Sequence, residues 1–358
     1  MTRSSGFSRL SGLTSFTGVF VASLAAATIA SADTNGDIAT CKSSKHDSII
    51  AACSRLIDGK KVSGKNLQDA LYFRSSEYTS RSQWDEALAD AEKCSSLAPS
   101  DVDCVNQIGR AYHGKADYDN ALIYFSKTVK MNPKYISGWA NVGVTYSAKG
   151  NYDLAIENFT KAISVDKKYT FAYSARGDAY SSKENYDAAI ADYVKTIELE
   201  PGNIYAMGGL AYCNRVLGKY DEALSGVEKA IAIDPNYAYG YGVRGLVYHD
   251  QGRFQQAKAA LDKAIEVNSN TAWYYAYRGI AKVMLRESED GKADLDKANS
   301  LATNYIEANY FLGLYYEQQG KKPDAAVAYR AALVGSATTT EARHAQEKAI
   351  KRLAIVGG

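Results

Sequence analysis

Gly240, Gly242 and Gly245 spell G-x-G-x-x-G, the spacing with which a strand-to-helix turn cradles a pyrophosphate. That chemistry needs a β-strand before the glycines and a helix N-terminus at them, and no β-rich stretch precedes Gly240. The match is therefore a coincidence of letters. His46, His113, His249 and His344 are scattered, no C-x-x-C spacing occurs, and neither H-E-x-x-H nor G-x-S-x-G is present. No catalytic residue, metal or cofactor is expected, and the chain is read as not an enzyme. Asn158-Phe159-Thr160 is a formal glycosylation sequon, but Phe159 falls at a helical core position, so the sequon is treated as chance. The chemistry left to the chain is that of cysteines, of Arg–Asp pairs and of aromatic surface.

The cysteines depend on the compartment. Arg3 and Arg9 precede an apolar run from Phe16 to Ala30, and Ala30-Ser31-Ala32 has the small residues of a signal-peptidase site. Residues 1–32 read as a cleaved leader, cut after Ala32, which places the chain in the periplasm or outside the cell. The run is too short for a comfortable membrane span, and no other stretch approaches that length, so no stable membrane insertion is expected. An oxidising compartment permits disulfides. Local pairing, Cys41 with Cys53 and Cys94 with Cys104, is the simplest connectivity and leaves Cys213 over; the alternative is five small core residues.

These residues are positioned by a repeat. Pro99, Pro133, Pro201 and Pro235 stand 34, 68 and 34 residues apart. Setting them at position 32 of a 34-residue unit gives eight units over 68–339, flanked by an N-terminal helical cap over 33–67 and a capping helix over 340–358. Position 8 is always small, from Ser75 and Gly109 to Gly313, and position 20 is alanine or glycine, which lets two helices approach closely. Aromatics such as Tyr146 at position 11 and Tyr152 at position 17 fill the gaps, so most of the 28 tyrosines are core. Gly150, Gly218, Gly252 and Gly320 mark the turn inside each hairpin, and Pro323 suits the start of a second helix. The seventh unit departs from the pattern at Lys282, Ser288, Gly291 and Thr303, which predicts a looser repeat. In the N-terminal cap, His46 to Asp58 reads as a helix closed by Gly59, with Lys60 to Asn66 as a loop. In the C-terminal one, Ala342, Ala345, Ala349, Ile350, Leu353 and Ala354 make a helical apolar stripe suited to covering the last repeat.

Trp139, Val142, Gly143, Tyr146, Ala155, Phe159 and Ala162 match the pattern W-x2-L-G-x2-Y, A-x3-F and a further small residue, and on these phases the chain resembles the tetratricopeptide repeat (TPR) family over about three quarters of its length. The resemblance implies an all-α fold, a right-handed α-solenoid of about eight helix-turn-helix repeats. Arg at position 7 with Asp at position 23 recurs as Arg74/Asp90, Arg176/Asp192 and Arg278/Asp294, on facing helices, where an intra-repeat ion pair is the natural reading; Arg244 faces Ala260 instead.

The resemblance also implies that first-helix positions 2, 5, 6, 9, 12 and 13 face a ligand. These positions carry Asn106, Gln107, Arg110, His113, Asn141, Asp178 and several serines in the early units. The later ones carry Tyr205, Tyr212, Tyr239, Trp273, Tyr277, Ile280, Tyr310, Phe311 and Leu314, beside Gly208, Gly209 and Gly242. An exposed aromatic stripe beside glycines predicts a groove for an apolar or planar guest. The alternative is that the aromatics pack on one another or on the C-terminal cap. Positions 5 and 9 hold no lysine, so the carboxylate clamp of some TPR co-chaperones is missing.

Charge excludes one partner class. Lys and Arg number 42 against 40 Asp and Glu, and removing the leader leaves 40 against 40, without the basic surplus of a nucleic-acid binder. The expected function is a non-catalytic scaffold that binds a protein or peptide segment in the concave groove, in the periplasm or secretory compartment. It is similar to exported TPR proteins of Gram-negative bacteria, some of which assist envelope or pilus assembly, but lacks the lipid-attachment Cys of their lipoprotein members. The alternative is a glycan or cell-wall-fragment binder using the same aromatic groove.

Overall fold

The computed structural model describes residues 33–43 and 46–357. The expected leader over 1–32 and its cleavage point lie outside the described residues. Among the described residues every regular element is a helix. They fall into two compact units, Met1–Gly138 and Trp139–Gly358, and each is taken by itself.

The first unit holds α1 (33–41), α2 (His46–Ile57), α3 (Gly64–Ser80), α4 (Trp84–Leu97), α5 (Val102–Gly114) and α6 (Tyr118–Met131). The sequence reading missed α1, and the expected loop from Lys60 to Asn66 is cut short because Ser63, in extended backbone, starts α3 at Gly64. Cys41 is bonded to Cys53 and Cys94 to Cys104, with Cα separations of 5.0 and 5.5 Å, which is the local pairing. All four lie in one buried cluster with Ile49, Leu56 and Leu71.

The second unit takes α7 (Ile136–Ala148) from Trp139 onward, then α8 (Tyr152–Val165), α9 (Thr170–Ser182), α10 (Tyr186–Leu199), α11 (Ile204–Val216) and α12 (Tyr220–Ile233). It continues through α13 (Ala238–Asp250), α14 (Phe254–Val267), α15 (Ala272–Met284), α16 (Ser288–Leu301), α17 (Ile306–Gln318), α18 (Lys322–Ala332) and α19 (Thr340–Val356). Helices pack in antiparallel pairs, α9 on α10 and α11 on α12, as the repeat dictates.

Two devices recur among the pairs, the first at six of the eight repeats and the second at three. The small residue at position 8 receives a large side chain from position 24: a Cβ on Gly143 would stand 2.7 Å from the Phe159 ring, and one on Gly177 2.9 Å from Tyr193. Position 8 is thus a socket, and any added carbon overpacks it. The second device is the arginine. Arg74, Arg176 and Arg278 grip Asp90, Asp192 and Asp294 with two parallel bonds each, at 2.6–2.8 Å, as their phases imply. Each guanidinium also reaches the preceding repeat, Arg176 donating to Thr160 Oγ1 and Arg278 to Asp262 Oδ1, both at 2.9 Å. Arg244, with Ala260 opposite, leaves its Nε buried without an acceptor and lies 5.0 Å from the Tyr241 ring centroid.

All eight intra-hairpin turns pass through left-handed backbone at position 15. Gly150, Gly218, Gly252 and Gly320 take it freely, while Ser82, Ala116, Glu184 and Arg286 hold it at φ between 58° and 68°. For a residue with a Cβ this conformation costs about 1–2 kcal/mol. Ala116→Gly is therefore expected to stabilise the first unit by roughly 0.5–1 kcal/mol after the added chain entropy of glycine is counted. An urea midpoint that stays or falls would contradict it.

The seventh repeat corrects an expectation. It is regular, because Gly291 in place of alanine removes the methyl that separates the helices; a Cβ there would lie 2.8 Å from the Gly279 carbonyl oxygen. Lys282, where six of the other repeats place tyrosine, is held by Asp294 at 2.8 Å. A second correction concerns α19. Ala342, Ala345 and Ala349 are buried and Leu353 packs half-buried against the same core, but Ile350 is 58 % exposed and Ala354 faces solvent, so two of the six stripe residues take no part in the seal.

Candidate functional site

Within the second unit, α9 turns Ser174, Asp178 and Ser181 to one face, at i, i+4 and i+7, and α11 turns Tyr205, Gly209 and Tyr212 the same way. Tyr237 and Tyr239 at the start of α13 continue the surface. Opposite them stands the beginning of α19, Thr338 to Thr340 and Arg343. Between these walls lies an open cavity of about 540 Å³.

Its floor is a tyrosine that comes from the second helix of its repeat. Tyr193, on α10, is buried and donates from its hydroxyl to Asp178 Oδ1 at 2.6 Å. It reaches that far because Gly209 leaves the space: a Cβ there would meet the Tyr193 ring at 2.5 Å. Asp178 keeps a face open to the cavity, yet protein flanks it closely, and this desolvation lifts its carboxyl above the usual carboxylate range while the Tyr193 bond pulls the other way.

The far wall is tied down by its own bonds. Thr339 caps α19 by accepting from the Ala342 amide at 3.0 Å. Thr340 donates to Glu184 and meets the Tyr186 hydroxyl, both at 2.7 Å, and Arg343 pairs with Glu184. Glu341 accepts from Tyr212 at 3.0 and 3.1 Å and pairs with Arg215, a guanidinium 6 % exposed that also reaches Asp250 at 3.2 Å. The start of α19 thus crosses the first-helix face from the fourth repeat to the sixth.

Farther along, α19 has taken the place of a guest. Tyr277, Tyr310 and Phe311 are buried, with Tyr277 and Phe311 edge to face at 5.3 Å and both beside α19 in a smaller cavity of about 190 Å³. Trp273 and Tyr239 border another small cavity closed by Thr339 and Glu341. The glycines fare likewise: Gly208 is filled by Tyr237 and Tyr239, and Gly242 by Trp273 and Tyr274. Both readings of the aromatic stripe hold in part: it is open from Tyr205 to Tyr239, and beyond that it packs on itself and under the C-terminal cap, leaving two small cavities.

Models of the tetratricopeptide repeat match residues 102–135, 136–169, 174–238 and 238–271. The chain is a tetratricopeptide repeat protein. It is similar in fold to a TPR protein from Parabacteroides merdae, at 22 % identity and a TM-score of 0.58 over 69 % of this chain and 98 % of that one. It is also similar to the Cut9–Hcn1 hetero-tetramer of the APC/C, at 18 % identity and a TM-score of 0.60 over 88 % of this chain and 62 % of that one. Among curated proteins no match is found.

In TPR terms, the cavity uses first-helix positions 2, 5, 6, 9 and 12, where the resemblance placed ligand contacts. Of the residues named at or beside the ligand-facing positions, it gathers Asp178, Tyr205, Gly209, Tyr212 and Tyr239. Asn106 and Arg110 belong to the first unit, where Asn106 is buried and Arg110 donates to Gln107 at 3.0 Å; Asn141 lies in the second unit away from the lining. Sequence reasoning missed Tyr193, Tyr237 and the Thr338–Arg343 segment. A signal for Tyr193 was present in Gly177 and Gly209, which both face its ring. Cys213 behind the site is buried, and burial pushes its thiol up to about 11, away from thiolate chemistry.

Proposed function

We propose that this TPR protein is a non-catalytic scaffold that binds a peptide segment of a protein partner in the cavity between α9, α11 and the start of α19, in the periplasm or secretory compartment. One observation carries the reading. The cavity stays open, within the roughly 300–1,000 Å³ of ligand sites, while α19 narrows the rest of the aromatic face to cavities of about 190 and 170 Å³. Tyr205, at its mouth, is 72 % exposed, an aromatic anchor with no intramolecular cover beyond an edge contact to Tyr237. Two disulfides in the first unit and the leader-like first 32 residues support the oxidising compartment.

A photo-crosslinking residue in place of Tyr205, compared with one in place of Val194 on the exposed side of α10, tests the binding. Peptide adducts at position 205 and none at 194 are expected; equal labelling at both would contradict the site. Sequencing of the exported chain is expected to begin at Asp33, and a product that retains Met1 would remove the compartment from the proposal.

A further inference from the structure

We infer that the cavity receives a basic side chain, lysine or arginine, of the bound peptide, with Asp178 as its counter-ion and the tyrosines around it as a cation-binding wall. The inference rests on the peptide-binding reading above and adds the chemistry of the guest.

The charges of the lining point this way. Two charged side chains border the cavity, Asp178 and Arg343. Arg343 is already paired with Glu184, across the same turn that Thr340 bonds. What remains is one negative charge, and among the described residues its hydrogen-bond partner is the Tyr193 hydroxyl alone. A hydroxyl satisfies one lone pair of a carboxylate and leaves the others for a donor. The carboxyl is exposed to the cavity and flanked by protein that already disfavours its charged form, so a guest covering it with apolar groups adds to that cost while a cation offsets it.

An apolar guest would bury that carboxylate without compensation, and an acidic one would face it with like charge. A cation is opposed by neither effect. The rings add to it: Tyr205, Tyr212, Tyr237 and Tyr239 surround the space, and an ammonium or guanidinium is drawn to the electron-rich face of such rings. The protein uses the same contact at the edge of the site, where the Arg215 guanidinium lies 5.1 Å from the Tyr212 centroid. Arg215 itself does not repel the guest strongly, since Glu341 and Asp250 neutralise it. Ser174 and Ser181 complete the wall with hydroxyls able to accept from a spare N–H.

The test uses the full mature chain and a set of capped heptapeptides that differ only at the central residue: lysine, arginine, acetyl-lysine, norleucine or glutamate in a tyrosine- and serine-bearing frame. Binding is followed by isothermal titration and by the ring signals of labelled tyrosine. The lysine and arginine peptides are expected to bind at least tenfold tighter than the acetyl-lysine, norleucine and glutamate ones, shifting Tyr205, Tyr237 and Tyr239. Asp178→Asn, which keeps the shape and the Tyr193 bond, is expected to reduce that preference about tenfold, in line with the weight of a charge-assisted bond. An unchanged thermal melt shows that the fold survives the substitution, and the norleucine peptide, no longer set against a buried carboxylate, is expected to bind the variant at least as tightly as it binds the parent chain. If all five peptides bind equally at these rings, the basic-side-chain inference is overturned and the peptide-binding reading stands. If none binds while the protein is folded, both fall.

Discussion

Glu341→Ala is expected to lower the stability of the second unit by about 3 kcal/mol and to free the first turns of α19, because it leaves the buried Arg215 guanidinium short of its nearest counter-charge. The reasoning is one of asymmetry. A buried ion pair contributes little beyond what an apolar pair of the same shape would, but a buried charge stripped of its partner is costly. Arg215 already has an Nε with no acceptor, so it has no reserve, and Asp250 at 3.2 Å compensates only in part. The same substitution removes both bonds to the Tyr212 hydroxyl. Urea denaturation measures the loss, and hydrogen exchange locates it: amides of residues 340–346 are expected to exchange faster by at least tenfold. A midpoint shift equivalent to less than about 0.5 kcal/mol, the size of an ordinary surface change, would show that α19 is held by its apolar face alone.

Reduction of the two disulfides is expected to destabilise the first unit by about 3 kcal/mol for each bond, the chain-entropy value for short loops. The sequence separations are 12 and 10, and all four sulfurs sit in a single buried cluster, so the unit loses both cross-links from one core. Cys41→Ala with Cys53→Ala, and Cys94→Ala with Cys104→Ala, separate the two contributions without introducing hydroxyls into that core. Hydrogen exchange of α2 to α5 with and without a reducing agent reads the effect. Identical protection in both would mean that packing alone holds the unit and would weaken the case for an oxidising compartment.

The helices were legible because the repeat writes each contact several times. Position 8 reads as small in every unit, and at six of the eight the side chain from position 24 occupies the space this leaves, while the Arg–Asp phases read directly as ion pairs. The seventh repeat defies its pattern because its departures are accommodated: Gly291 lets the helix pair approach where a methyl would meet the Gly279 carbonyl, and Lys282 finds Asp294. The site was legible in half. Tyr205, Tyr212 and Tyr239 stand out by phase, but phase within one repeat does not reveal that a helix more than a hundred residues later will lie over the neighbouring repeats. The bonds from Glu341 to Tyr212 and from Thr340 to Glu184 are non-local facts that periodicity does not carry. Nor does a repeat pattern distinguish a glycine that admits a guest from one, such as Gly242, that admits the next repeat's own Trp273.

The most direct test of the central claim is a crystal structure of the mature chain with a peptide selected by display from a random library. The account predicts the peptide in the cavity beside Tyr205, Tyr237 and Tyr239, with α19 still bonded to Tyr212 and Arg215 and a basic side chain at Asp178. A peptide seated elsewhere on the protein, with that cavity unchanged, would contradict it.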